Sequence, residues 1–191
     1  MNDALFQAFF KLLNYSADSI FTGLKIVVPF VFIFKIFNFN LIQLYIDALI
    51  VAINKMMLCG AVLFLIAMGA NYYHAVNSGN PMERDFMIGL LTGPHWFQLI
   101  IPVIMYALLP QVMWIRKLVN NIYSSMAIVA SWFISFYLIR YFSYKDDPSL
   151  SSNNDHSRYP IVFSNEKMIV FSCLLILFYL VLFLRLKKKQ N

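Results

Sequence analysis

Four ionisable side chains fall within or against runs of this sequence that are otherwise apolar: Lys25, Asp47, Lys55 and Arg140. An ionised group in hydrocarbon costs at least about 2–3 kcal/mol, so each needs a partner or a task. Asp47 and Lys55 are eight positions apart and fall on nearly the same helix face, too far apart for a direct salt bridge. At 1.5 Å per residue, Lys55 lies roughly 12 Å into its run. With Lys25 they are candidates for a proton path or for contact with a quinone headgroup. The plainer reading is snorkelling for Lys25 and pairing with another subunit for Lys55. Arg140, between Tyr137 and Tyr141, suits an acidic group on a partner or a lipid headgroup.

A second set of residues shapes the backbone. Gly93-Pro94-His95-Trp96 precedes an apolar run that Pro102 and Pro110 interrupt. Each proline frees the carbonyl four residues before it, here Gln98 and Tyr106, which bends a helix around a cavity or simply shapes packing. The run closes on Pro110-Gln111-Val112-Met113-Trp114-Ile115-Arg116-Lys117, with Trp114 suited to an interface and Arg116 and Lys117 to the aqueous side.

Other chemistries find little footing. The histidines His74, His95 and His156 sit toward rims rather than at matched depth, as haem between helices would require. Cys59 and Cys173 lie in apolar runs with no Cys-x-x-Cys spacing, so both read as inert thiols rather than metal ligands. No nucleophile–base set, glycine-rich phosphate loop or carboxylate pair is readable. The chain is expected to bind no metal or cofactor alone, with a quinone at most at a subunit interface.

The elements that position these residues are helices in a bilayer. Of 191 residues, 61% are hydrophobic and 13% charged, with a mean hydropathy of +0.68. Soluble domains run about 45–50% apolar and about 25% charged, so this surplus requires an apolar solvent. Five runs approach the roughly 20 residues that span hydrocarbon as helix: 20–37, 47–72, 96–114, 122–141 and 168–184. Helix is required because lipid offers no partner to backbone N–H and C=O groups, and the runs lack the alternation of barrel strands. The expected fold is a single all-α transmembrane bundle over 1–191. Leu5, Phe6, Phe9, Leu12 and Leu13 recur at helical spacing within Ala4 to Tyr15, which predicts a short interfacial helix ahead of the first span. Asn71 to Gly93 and Ser143 to Lys167 read as polar connections, the latter a solvated loop through Asp146-Asp147-Pro148 and Ser151-Ser152-Asn153-Asn154. The start of the chain has no basic n-region and does not read as a cleaved signal peptide.

Net charge is +6, but the basic residues cluster at the ends of spans, which points to topology control rather than nucleic acid. One side carries Lys35, Arg116, Lys117, Arg185, Lys187, Lys188 and Lys189, with Asp47 its nearest acid. The other carries Asp3, Asp18, Glu83, Asp85, Asp146, Asp147, Asp155 and Glu166. The positive-inside rule then places the N-terminus outside and the C-terminus in the cytoplasm.

Ser78-Gly79-Asn80, Glu83, Gly93-Pro94, Trp96, Pro110-Gln111, Trp114 and Lys117 stand in an order and spacing that resembles the NrfD / polysulfide-reductase (PsrC-like) membrane subunits. The resemblance is closest to those of alternative complex III. Ile20-Phe21-Thr22-Gly23, Lys55-Met56-Met57-Leu58, Arg140 and Tyr159-Pro160 extend it, so that nearly the whole chain corresponds to the C-terminal five helices of a ten-helix subunit. It implies a membrane subunit of a quinol-linked respiratory complex in a bacterial inner (cytoplasmic) membrane. Such a subunit docks on iron–sulfur and cytochrome partners, with the quinone site attributed mainly to the N-terminal half. The chain departs from the family at Leu49 and Val51, where the family has His and Glu, and at Ile139, where it has Glu. Two other function classes fit the same residues: a small transporter or channel subunit lined by Lys25, Asp47 and Lys55, and a structural or assembly subunit without chemistry.

Overall fold

The computed structural model describes residues 3–37, 43–77, 79–146 and 165–190, and among them every regular element is helical. In order these are α1 (Asp3–Ile36), α2 (Gln43–Asn77), α3 (Pro81–Thr92), α4 (Phe97–Pro102), a π-helical segment (Val103–Leu108), a 3₁₀ segment (Leu109–Trp114), α5 (Arg116–Val119), α6 (Ile122–Asp146) and α7 (Asn165–Gln190). Four helical stretches of the described residues are long and apolar enough to cross a membrane: Ala8–Ile36, Tyr45–Asn77, Phe97–Trp114 and Ile122–Ser143. The fifth apolar run forms α7. Ser78, His156, Tyr159 and Pro160 lie outside the described residues, as does the heart of the expected loop, from Asp147 through Asn154.

Direction alternates along the chain. Lys35 on α1 meets Asp47 on α2, and Gly60 faces Ile20, so these two helices are antiparallel. The third span packs Phe97 near Phe142 and Met105 near Trp132, antiparallel to α6. On α7, Lys167 pairs with Asp18, and Phe171 packs on Gly23, so α7 runs parallel to α1. The end of the bundle with Lys35, Arg116 and Lys117 is called below the basic end, and the opposite one the acidic end.

Three features differ from expectation. There is no separate interfacial helix: α1 is continuous for 34 residues. Nothing between Tyr15 and Ile20 breaks it, and the polar side chains of Asn14 and Ser19 fold back on the helix. Asn14 Nδ2 donates to the Phe10 carbonyl at 3.2 Å and Ser19 Oγ to that of Tyr15 at 2.7 Å. Pro29 also falls inside α1 without ending it. Second, the polar stretch after Asn71 is largely helical, because α2 runs to Asn77 and α3 follows. Third, Cys173 is exposed, on the outward face of α7 with Ile169, Ile176 and Leu177, while Cys59 is half-buried.

The core gathers where α1 and α2 cross α6 and α7. Leu24, Val28, Ile53, Met57, Val129, Trp132 and Phe171 are fully enclosed there. Gly23 is needed at this crossing, since a Cβ on it would stand 2.0 Å from the Phe171 ring. Elsewhere large apolar side chains face outward, as a bilayer favours.

Candidate functional site

The broken third span is the structural centre of the site. Its 18 residues change helical period twice. In the π segment Leu109 N–H reaches the Ile104 carbonyl, five residues back. The next residue is Pro110, which has no N–H. In that register the carbonyl it leaves without a backbone donor belongs to Met105, not to Tyr106 as α-helical counting suggests. Trp132 on α6 supplies the missing donor: its indole Nε1 donates to the Met105 carbonyl at 2.7 Å.

Aromatic rings enclose that bond. Trp132 stacks on Tyr106 at 5.4 Å and 13°, and Phe21 meets both edge-on at 5.0 and 5.1 Å. Lys25 Nζ lies over the other ring system, 5.3 Å from the Tyr106 centroid. Lys25 is thus held by a cation–π contact, a favourable arrangement away from water.

A closed polar layer lies nearer the basic end. Asn54, fully buried on α2, donates from Nδ2 to the Val119 carbonyl at 2.8 Å. Its Oδ1 accepts from Ser125 Oγ of α6 at 2.7 Å, with the Asn121 carbonyl 3.3 Å from the same hydroxyl. Among the described residues no buried side-chain nitrogen or oxygen lacks a partner. A fully paired amide between helices fixes their register and leaves no group free to react. Sequence reasoning weighed Lys55 and passed over Asn54 beside it. The signal was present, since a lone carboxamide in an apolar run also demands a partner.

The charged candidates occupy separate settings. Asp47 is bound to Lys35 at 2.7 Å on the tip of the α1–α2 hairpin. Lys55 is half-buried on the face of α2 that also carries Cys59, Val62 and Ile66, with no ion pair among the described residues. Arg140 is exposed near the acidic end of α6. The structure does not bring Lys25, Asp47, Lys55 and Arg140 together.

The remaining candidate positions build local devices. Gly79 adopts φ +70°, and Asn80 caps α3, its Oδ1 accepting from Met82 N–H at 3.1 Å. Pro81 starts the helix and Glu83 sits in its first turn, where a carboxylate favours the helix dipole. Gly93 ends α3 by donating to the Gly89 carbonyl at 2.8 Å, which a Cβ there would approach to 2.5 Å. Pro94 then turns the chain into Trp96, whose exposed ring lies near Phe97 and Phe142. Beyond buried Pro110, Gln111 donates to the Ala107 carbonyl at 3.2 Å and accepts from Trp114 Nε1 at 2.7 Å. Lys117 is exposed on α5, as is Arg116.

A groove of about 290 Å³ runs between α2 and α7, lined by Tyr45, Ile46, Leu49, Leu175, Ile176 and Tyr179. Neither Asp47, Lys55, Lys25 nor Arg140 forms its wall. No group of three His, Cys, Asp or Glu that could hold a metal occurs among the described residues. No protein-family model, curated protein or solved structure matches this chain.

Proposed function

We propose that this chain is part of a membrane subunit of a quinone-linked electron-transfer complex, related to the C-terminal half of the NrfD / polysulfide-reductase subunits. It would anchor iron–sulfur and cytochrome partners and pack against further membrane helices. The observation that carries this reading is the ordered series Gly79, Asn80, Glu83, Gly93, Pro94, Trp96, Pro110, Gln111, Trp114 and Lys117. In that order its members cap α3, turn the chain and break the third span. The interior is filled by rings and closed hydrogen bonds, which favours anchoring over conduction between the helices.

On this reading the protein lies in a bacterial inner membrane with the basic end in the cytoplasm and the partners at the acidic end. Purification of a tagged protein in mild detergent tests it. Iron–sulfur and cytochrome polypeptides are expected to co-isolate, and a homo-oligomer free of redox subunits overturns the proposal. A protease-accessible C-terminal tag on the exterior face overturns the sidedness alone.

A further inference from the structure

Aromatic rings set a depth scale for the bundle. Phe21 on α1, Phe64 on α2, Tyr106 on the third span and Trp132 on α6 meet in one cluster, with neighbouring centroids 5.0 to 6.1 Å apart. Toward the acidic end, exposed Tyr73 and Tyr141 stand nine residues from that layer and exposed Trp96 ten, about 14–15 Å at 1.5 Å per residue. The rings of Trp96 and Phe142 lie 6.5 Å apart, which ties the third span and α6 to a common level there. Toward the basic end, exposed Trp114 and Tyr123 stand eight and nine residues from the layer. The two girdles are thus roughly 25–30 Å apart, close to the thickness of a hydrocarbon core, and such rings seek the headgroup level.

Helix α3 is tied to the acidic girdle at both ends. It starts four residues after α2 ends, and α2 ends one turn past Tyr73. It stops at Gly93, whose carbonyl accepts from Trp96 N–H at 3.4 Å. A 12-residue helix, about 18 Å long, held near one level at both ends lies along the interface rather than rising from it. Its surface matches that position. Met82, Phe86, Met87, Leu90 and Leu91 fall on one half of the circumference, and Arg84, Asp85 and Thr92 on the other. Glu83, in the first turn, is the one charge on the apolar half. The centre of that half, Met87 and Leu90, is partly covered, while its margins stay open: Met82 is 82% exposed, Phe86 62% and Leu91 48%. A helix so divided, continuous with a ring of interfacial tyrosine and tryptophan, is suited to the boundary between headgroups and acyl chains.

We propose that α3 is an interfacial helix lying on the bilayer at the acidic end, with Met82, Phe86 and Leu91 immersed among lipid chains. This placement requires only the membrane setting and stands whether or not the redox reading holds. The full chain in phosphatidylcholine liposomes tests it, with single cysteines for a nitrobenzoxadiazole fluorophore introduced in a Cys59→Ala, Cys173→Ala background. Because α3 contributes no buried residue, labels on it leave the bundle intact. Lipids brominated along the acyl chain are expected to quench labels at Met82→Cys and Phe86→Cys about threefold more than labels at Arg84→Cys and Asp85→Cys. Iodide on both sides of the membrane should show the reverse order. Equal quenching by iodide at positions 82, 84, 85 and 86 overturns the proposal, because the helix then stands in water. A photo-crosslinker at position 86 that captures a polypeptide rather than lipid in native membranes overturns it too, and leaves the co-isolation of redox subunits as a separate result.

Discussion

Asn54 and Lys55 are neighbours on α2 with opposite circumstances. Asn54 points into the bundle, where Ser125 and the Val119 carbonyl meet both ends of its amide. Lys55 points away from that crossing and finds no anion among the described residues. A polar group satisfied inside a bundle holds helices in register, whereas a cation unsatisfied on its surface reports on what surrounds the bundle. A single step along the helix, about 100° of rotation, thus separates a residue that explains the fold from one that explains its setting.

Substitutions break or sharpen this contrast by size of effect. The largest loss is expected at the aromatic core that shares the α6 interface with Asn54. Trp132→Ala should cost about 3–5 kcal/mol, since it opens a cavity and also strips the Met105 carbonyl of its donor. Thermal unfolding in detergent, followed by circular dichroism, measures it. Asn54→Leu comes next, at about 1–3 kcal/mol, because the part-buried Val119 carbonyl loses its donor and Ser125 its acceptor on α2. Combining Asn54→Ala with Ser125→Ala should cost clearly less than the sum of the single changes; strict additivity would mean that the amide and hydroxyl are not coupled. Lys35→Met should lower stability by no more than about 1 kcal/mol, because the Asp47 pair is exposed. Lys55→Met closes the series with no measurable change in melting temperature. A loss comparable to that of Asn54→Leu would erase the distinction between the two neighbours.

The greater part of the fold was legible in the sequence because hydropathy over about 20 residues reports directly on transfer into lipid. The five apolar runs are helical, and the charge asymmetry between the two ends follows from their alternation. Local breaks were harder to read. α3 escaped notice because it is short and has no buried residue, although Asn80-Pro81 followed by Glu83 is a helix-start signal. The join of α1 to its N-terminal extension turned on the absence of a breaker rather than the presence of a marker. The shift of the freed carbonyl from Tyr106 to Met105 was beyond local reasoning. The π register is completed by an indole 27 residues away in sequence, and no local pattern encodes that donor. Asn54 was within reach of sequence reasoning, but attention to formal charge hid a neutral group with an equally strong need for partners.

The seat of Phe171 on Gly23 has a consequence for biosynthesis. α7 leaves the ribosome long after α1 has entered the bilayer, so the bare patch of backbone at Gly23 first meets lipid tails. Docking of α7 must expel them, and the Phe171 ring takes their place. α7 therefore closes on α1 by a keyed fit, and any side chain grown at position 23 would collide with the ring that makes it.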